Sequence, residues 1–109
     1  MSKFMVLYRA PESAQAQLAN ATPEQIKAGG EAWQAWATKV HYALTDLGAP
    51  LAHTTHVGPG AKAADGVCGY SVIEAGSADD VDSILEGHPH FHTPGGSIEV
   101  LEFIPFGDL

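Results

Sequence analysis

Two short stretches, Lys3–Tyr8 (KFMVLY) and Val67–Ala75 (VCGYSVIEA), do most to limit what this chain can fold into. Each is apolar on both of its alternating faces. In the first, Phe4, Val6 and Tyr8 fall on one side and Met5 and Leu7 on the other. A strand of that kind has to be covered on both sides, so it belongs at the centre of a sheet. Two further strands are expected over Pro50–Val57 (PLAHTTHV) and about Ser97–Ile104 (SIEVLEFI).

Helices fill the gaps between them. Thr22-Pro23-Glu24-Gln25 is a strong helix start, with Thr22 as N-cap, Pro23 in the first helical position and Gln25 completing a capping box. Ile26, Trp33, Ala37, Val40, Leu44 and Leu47 then recur at helical spacing, which predicts one long helix ending at Gly48. Gly29-Gly30 interrupts its first part at about 1 kcal/mol per glycine relative to alanine. A short helical turn is expected over Glu12–Ala19. Ser77 and Asp80 start a last helix carrying Val81, Ile84 and Leu85, and Gly87 and Pro89 end it. Gly58–Gly66 (GPGAKAADG) reads as a hairpin loop.

The order β-α-β-β-α-β with right-handed crossovers gives an α+β, ferredoxin-like fold: a four-stranded antiparallel sheet with both helices on one face. The 109 residues suit a single domain spanning 1–109. Apolar side chains from strands one, three and four are left on the other sheet face, and a patch of that size predicts a partner. The simplest partner is a second copy, so a homodimer through the open sheet face is expected.

Thirteen acidic against five basic residues give a net charge of −8, which disfavours nucleic acid and anionic membrane surfaces as partners. Phe4–Tyr8 is too short for a signal-peptide core or a membrane span, so a soluble cytoplasmic protein is expected. The lone Cys68 has no internal disulfide partner and sits in an apolar strand, where it packs as a small hydrophobe.

The chemistry concentrates in Glu86–Gly96 (EGHPHFHTPGG), with His88, His90 and His92 inside five residues. Three imidazoles in an extended chain would suit zinc. Pro89 breaks the regularity, and no cysteine pair or carboxylate completes the set, so neither a metal nor any other cofactor is expected. Capping of the preceding helix by the imidazoles is the structural alternative. Acid–base work on a bound ligand is the functional one, since an unperturbed histidine titrates near pH ~6.5. His53 and His56, three apart on an expected strand, should point to opposite faces. Trp33 and Trp36 read as core or cavity lining. Tyr8 and Arg9, at the end of a central strand, are candidate contacts for an aromatic or anionic ligand, and Ser71 leaves room for one beside strand three. No GxSxG, Walker or dinucleotide motif is present.

Gly69–Phe106 (GYSVIEAGSADDVDSILEGHPHFHTPGGSIEVLEFIPF) resembles the C-terminal half of the YCII-related proteins, in which a GYxxIEA strand, a Ser/Asp-capped helix, an HPH segment, a glycine pair and a SIEV strand follow one another. The first strand and the tryptophan-bearing helix resemble the same family, so the likeness covers nearly the whole chain. It implies a ferredoxin-like domain paired into a dimeric α+β barrel, with a histidine/aspartate site. This chain departs at both site positions. EAWQAWA stands where YciI-like members carry the histidine, and His88 stands where they carry the aspartate. The DGPF-type relatives share the tryptophan helix and HPH, but the DGPF stretch itself is replaced here by GPGAKAADG. Two functions are thus expected: a small-molecule enzyme using His88 and His90 for elimination, isomerisation or hydrolysis in a dimer cavity, or a non-catalytic small-molecule-binding or assembly module. Some relatives dehydrochlorinate aromatics, which speaks only to what the fold can host.

Overall fold

The computed structural model describes residues 1–60, 66–105 and 107. Along the chain run β1 (Ser2–Arg9), α1 (Ala14–Asn20), α2 (Pro23–Lys39), β2 (Leu44–Pro50), β3 (Val67–Ala75), α3 (Ala78–Leu85), a 3-10 turn over Pro89–His92, and β4 (Ser97–Glu102). The sheet order is β2-β3-β1-β4 and every pairing is antiparallel. The two strands with two-sided apolar patterns are the central ones, and the topology is ferredoxin-like.

Register fixes which side chains face the helices. Phe4 pairs with Ile73, Val6 with Ser71 and Tyr8 with Gly69 across β1–β3; Val6 pairs with Val100 and Tyr8 with Ile98 across β1–β4. Phe4, Val6, Tyr8 and Ile73 are buried in one core with Trp36 from α2, Val40 just past its end, and Val81, Ile84 and Leu85 from α3. The caps form as the sequence implies. Thr22 accepts from the Gln25 amide at 3.1 Å while the Gln25 side chain accepts from the Thr22 amide at 2.9 Å, and Ser77 accepts from the Asp80 amide at 3.2 Å. The molecule is only 19 Å thick in its shortest direction, one helix layer on one sheet. Met5, Leu7, Leu101 and Phe103 lie on the opposite sheet face, with Leu101 47% and Phe103 42% exposed.

The long helix is shorter than its apolar spacing predicts. It stops at Lys39, with Val40 as C-cap, and Leu44 and Leu47 belong to β2. Helical spacing persists in a strand because β2 is bulged twice against β3, between Leu44 and Asp46 and between Asp46 and Ala49. Each bulge shifts the alternation, so Leu44 and Leu47, three apart, both pack on the core. Gly48 is therefore a bulge residue and not a helix stop. Its φ is +82°, and a Cβ there would lie 1.7 Å from the Tyr70 carbonyl oxygen. The strand expected at Pro50–Val57 thus sits earlier in the chain, and Leu51–Val57 has no regular structure. Free of strand alternation, His53 and His56 lie side by side with ring centroids 4.4 Å apart, and not on opposite faces. Residues 61–65 of the expected hairpin loop lie outside the described residues.

Candidate functional site

The histidine segment enters the core just after α3. Gly87, at φ +70°, turns the chain out of the helix, and Pro89 holds His88 in an extended backbone at φ −58°, ψ 138°. That backbone brings the His88 ring back over the next turn, where its Nδ1 accepts the His90 backbone N–H at 2.9 Å. His88 is thereby the N-cap of the 3-10 turn, in the role an Asx oxygen takes ahead of a proline turn.

Neither imidazole caps α3, contrary to the capping alternative. The last carbonyls of that helix are already taken. Ser83 accepts from the Glu86 amide, Leu85 from the His88 amide and Ile84 from the Trp36 indole N–H at 3.1 Å. The rings are free to turn inward instead. His88 has no exposed surface. Its ring lies 4.3 Å from Trp36, 4.6 Å from Trp33 and 4.9 Å from Tyr8, centroid to centroid. Trp33 and Trp36, three apart on α2, present both indoles to the same place.

Tyr8 forms the sheet wall of this cage. Its hydroxyl donates to Ser71 Oγ at 2.8 Å, and Ser71 donates onward to the Leu47 carbonyl at 2.6 Å. The β2 bulges leave that carbonyl outside the ladder and turned to Ser71. His90, 4% exposed, lies 5.2 Å from the Tyr8 ring, and its Nε2 bonds the Arg9 carbonyl at 2.8 Å. Tyr8, Ser71, His88 and His90 are therefore brought together on the helix side of the sheet. Arg9 joins them only through its backbone. Its side chain crosses to the open face and pairs with Glu99, with Nε at 3.0 Å and Nη2 at 2.6 Å from one carboxylate oxygen. His92 is exposed on the outside of the 3-10 turn.

Burial sets the electrostatics. It pushes the Tyr8 phenol up to about 12, only partly opposed by the Ser71 hydrogen bond. It pulls His88 down to about 4, with repulsion from a charged His90 as a lesser cause. His88 is therefore a neutral ring, and its Nε2 is the one buried side-chain nitrogen or oxygen among the described residues with no hydrogen-bond partner. Among the described residues no group of three or more His, Cys, Asp or Glu side chains could hold a metal ion. Cys68 is buried and donates weakly to the Tyr8 carbonyl at 3.3 Å. In the sequence the tryptophans read as core or cavity lining, with no link to His88. The signal available was their spacing of three on a helix whose apolar face they share.

Fold and site together define a ferredoxin-like α+β domain with a histidine held in an aromatic cage between helix and sheet. No family model matches the chain, and no curated protein matches it. Among solved structures it is similar to 5-chloro-2-hydroxyhydroquinone dehydrochlorinase from Burkholderia phenoliruptrix AC1100, solved in complex with 2,5-dihydroxybenzoquinone, with a TM-score of 0.57 and 19% identity over 99% of this chain and 98% of that one. The likeness is one of fold, end to end.

Proposed function

We propose that this chain is a YCII-related protein that takes a small, planar, oxygen-bearing ligand between α2 and the sheet and acts on it by histidine proton chemistry. One observation carries the reading. A fully buried imidazole presents an unpartnered N–H inside a cage of three aromatic rings. An unpaired buried polar group costs about 1–3 kcal/mol, so an ordinary core position would select an apolar residue there. Aromatic walls with one polar point are how a small-molecule site binds and orients a flat ring. The dihydroxybenzoquinone bound by the structural neighbour is a ligand of this kind, which supports the choice of class. His88 and His90 are the candidate catalytic residues, with Tyr8 and Ser71 lining the site and Arg9 anchoring His90 from behind. A non-catalytic binding module is the second reading, favoured by the complete closure of the cage around His88.

The homodimer belongs to the same proposal. Among the described residues, four of the chain's five basic residues are seen, and two of them, Lys3 and Arg9, lie on the open sheet face among Met5, Leu7, Leu101 and Phe103. That face is apolar and close to neutral, whereas the rest of an acidic surface repels its copies. No helix among the described residues is long and apolar enough to cross a membrane, and a free buried cysteine suits the reducing cytoplasm.

Calorimetric titration with 2,5-dihydroxybenzoquinone tests the ligand class. Saturable binding that disappears in the His88→Ala/His90→Ala double variant is expected, and unchanged binding in that variant rules the site out. Deuterium wash-in at the ring C–H of the bound quinone, followed by NMR, separates the two readings. Catalysed exchange marks an enzyme, and binding without exchange marks a module.

A further inference from the structure

The two buried histidines are not equivalent, and their hydrogen bonds say how. A backbone amide only donates, so Nδ1 of His88, which receives the His90 N–H at 2.9 Å, must hold its lone pair there. The neutral ring then carries its proton on Nε2, the nitrogen without a partner. A backbone carbonyl only accepts, so Nε2 of His90, at 2.8 Å from the Arg9 carbonyl, must carry a proton. The lone pair of neutral His90 is therefore on Nδ1. Both rings lie against the same face-forming residue, Tyr8, at 4.9 and 5.2 Å.

We propose that His88 and His90 divide the proton chemistry of this site: His88 is a tautomer-locked hydrogen-bond donor that keeps its one proton on Nε2 while the ligand reacts, and His90 is the base, working at Nδ1. This rests on the small-molecule reading above and makes it specific. The ligand has to offer an oxygen that gains negative charge when a neighbouring proton leaves, as a ring ketone does on enolisation. In that step a ligand C–H bond breaks and an N–H bond forms on His90 Nδ1. The C–H electron pair becomes the new C=C bond, and the carbonyl π pair moves onto oxygen, facing His88 Nε2–H. Return of the proton from His90 to a different carbon gives isomerisation, and loss of a leaving group from the enolate gives elimination. A neutral imidazole is the better donor here because it stabilises charge without delivering its proton. Ligands that present only donors toward His88, such as an ammonium group, are excluded.

Among the described residues, β3 brings the buried Cys68 near, and its thiol is turned to the Tyr8 carbonyl at 3.3 Å. Of the titratable and charged side chains on the elements packed around the two rings, β1 supplies Tyr8, whose hydroxyl is committed to Ser71, and Arg9, whose guanidinium is with Glu99 of β4 across the sheet. From α2 the rings meet Trp33 and Trp36, which do not titrate.

Long-range ¹H–¹⁵N correlation of the imidazoles in the intact protein tests the division without any ligand. The expected spectrum shows His88 as the Nε2–H tautomer with its Nδ1 unprotonated, and neutral His90 likewise with its proton on Nε2 and its lone pair on Nδ1. An Nδ1–H tautomer at either His88 or His90 overturns it. With 2,5-dihydroxybenzoquinone added, the His88 Nε2–H resonance should move downfield. The His88→Asn variant, whose amide oxygen keeps the cap on His90 N–H, should bind at least about ten-fold more weakly, the loss expected for one hydrogen bond to a charged oxygen. Unweakened binding in that variant overturns the donor role. Absence of quinone binding with both tautomers as assigned overturns the ligand reading instead, so the two failures are told apart.

Discussion

At the scale of the residue, His88 is under two opposed demands. Its Nδ1 is required by the 3-10 turn, while its burial penalises the charged ring. The ring titrates near 6.5 when unfolded and at about 4 when folded, so between those values the unfolded chain binds more protons. Stability attributable to His88 is thus complete above pH 6.5 and falls as pH drops toward 4, by on the order of 3 kcal/mol in all. Denaturant titrations at stepped pH should show this fall in the natural chain and a flatter profile in His88→Asn. Ser71 offers a second comparison. Removing its hydroxyl strands both the Tyr8 O–H and the Leu47 carbonyl, whereas Tyr8→Phe leaves the Ser71–Leu47 bond in place. Ser71→Ala should cost about 1–3 kcal/mol for each group left unpaired, and Tyr8→Phe about 0.5–1.5 kcal/mol. Equal losses in the two variants would mean that the relay is not ordered as described.

At the scale of the element, glycines separate the places where the backbone is free from those where it is not. Gly29 and Gly30 lie inside α2, which continues unbroken through them, and a Cβ at either meets nothing within 4 Å. Each alanine there should raise stability by about 0.5–1 kcal/mol. Gly48→Ala should instead prevent folding or abolish the β2–β3 edge, since its Cβ would overlap the Tyr70 carbonyl. Circular dichroism melts of the three variants check both statements. The same positions explain what the sequence revealed. β1, β3 and the capped starts of α2 and α3 were legible because alternation and caps are local codes. The start of β2 was not, because two bulges reproduce helical spacing, and the choice between helix and strand was made by the unpaired edge of β3. Within the site, His88, His90, Tyr8 and Ser71 were legible as candidates by type and by resemblance. Their meeting point was not, because the indoles, the Leu47 carbonyl and the Arg9 carbonyl come from elements far apart in the chain.

At the scale of the whole molecule, a single helix layer leaves one sheet face without helices over it. Val6 points into the core and Met5, next to it, points out. Val6→Asp should therefore unfold the chain, and Met5→Asp should leave a folded monomer. Sedimentation equilibrium at micromolar concentration should return a dimer for the natural chain, strengthened by added salt because two copies of charge −8 repel each other. A stable monomer throughout would remove the dimer from the proposal. Both tryptophans of the chain stand against His88. All of the protein's indole emission therefore originates at one spot, and the molecule carries a built-in optical gauge of it. Fraying of the β2 edge or parting of two copies leaves that emission unchanged, while a flat guest entering beside His88 alters its intensity and colour without any label.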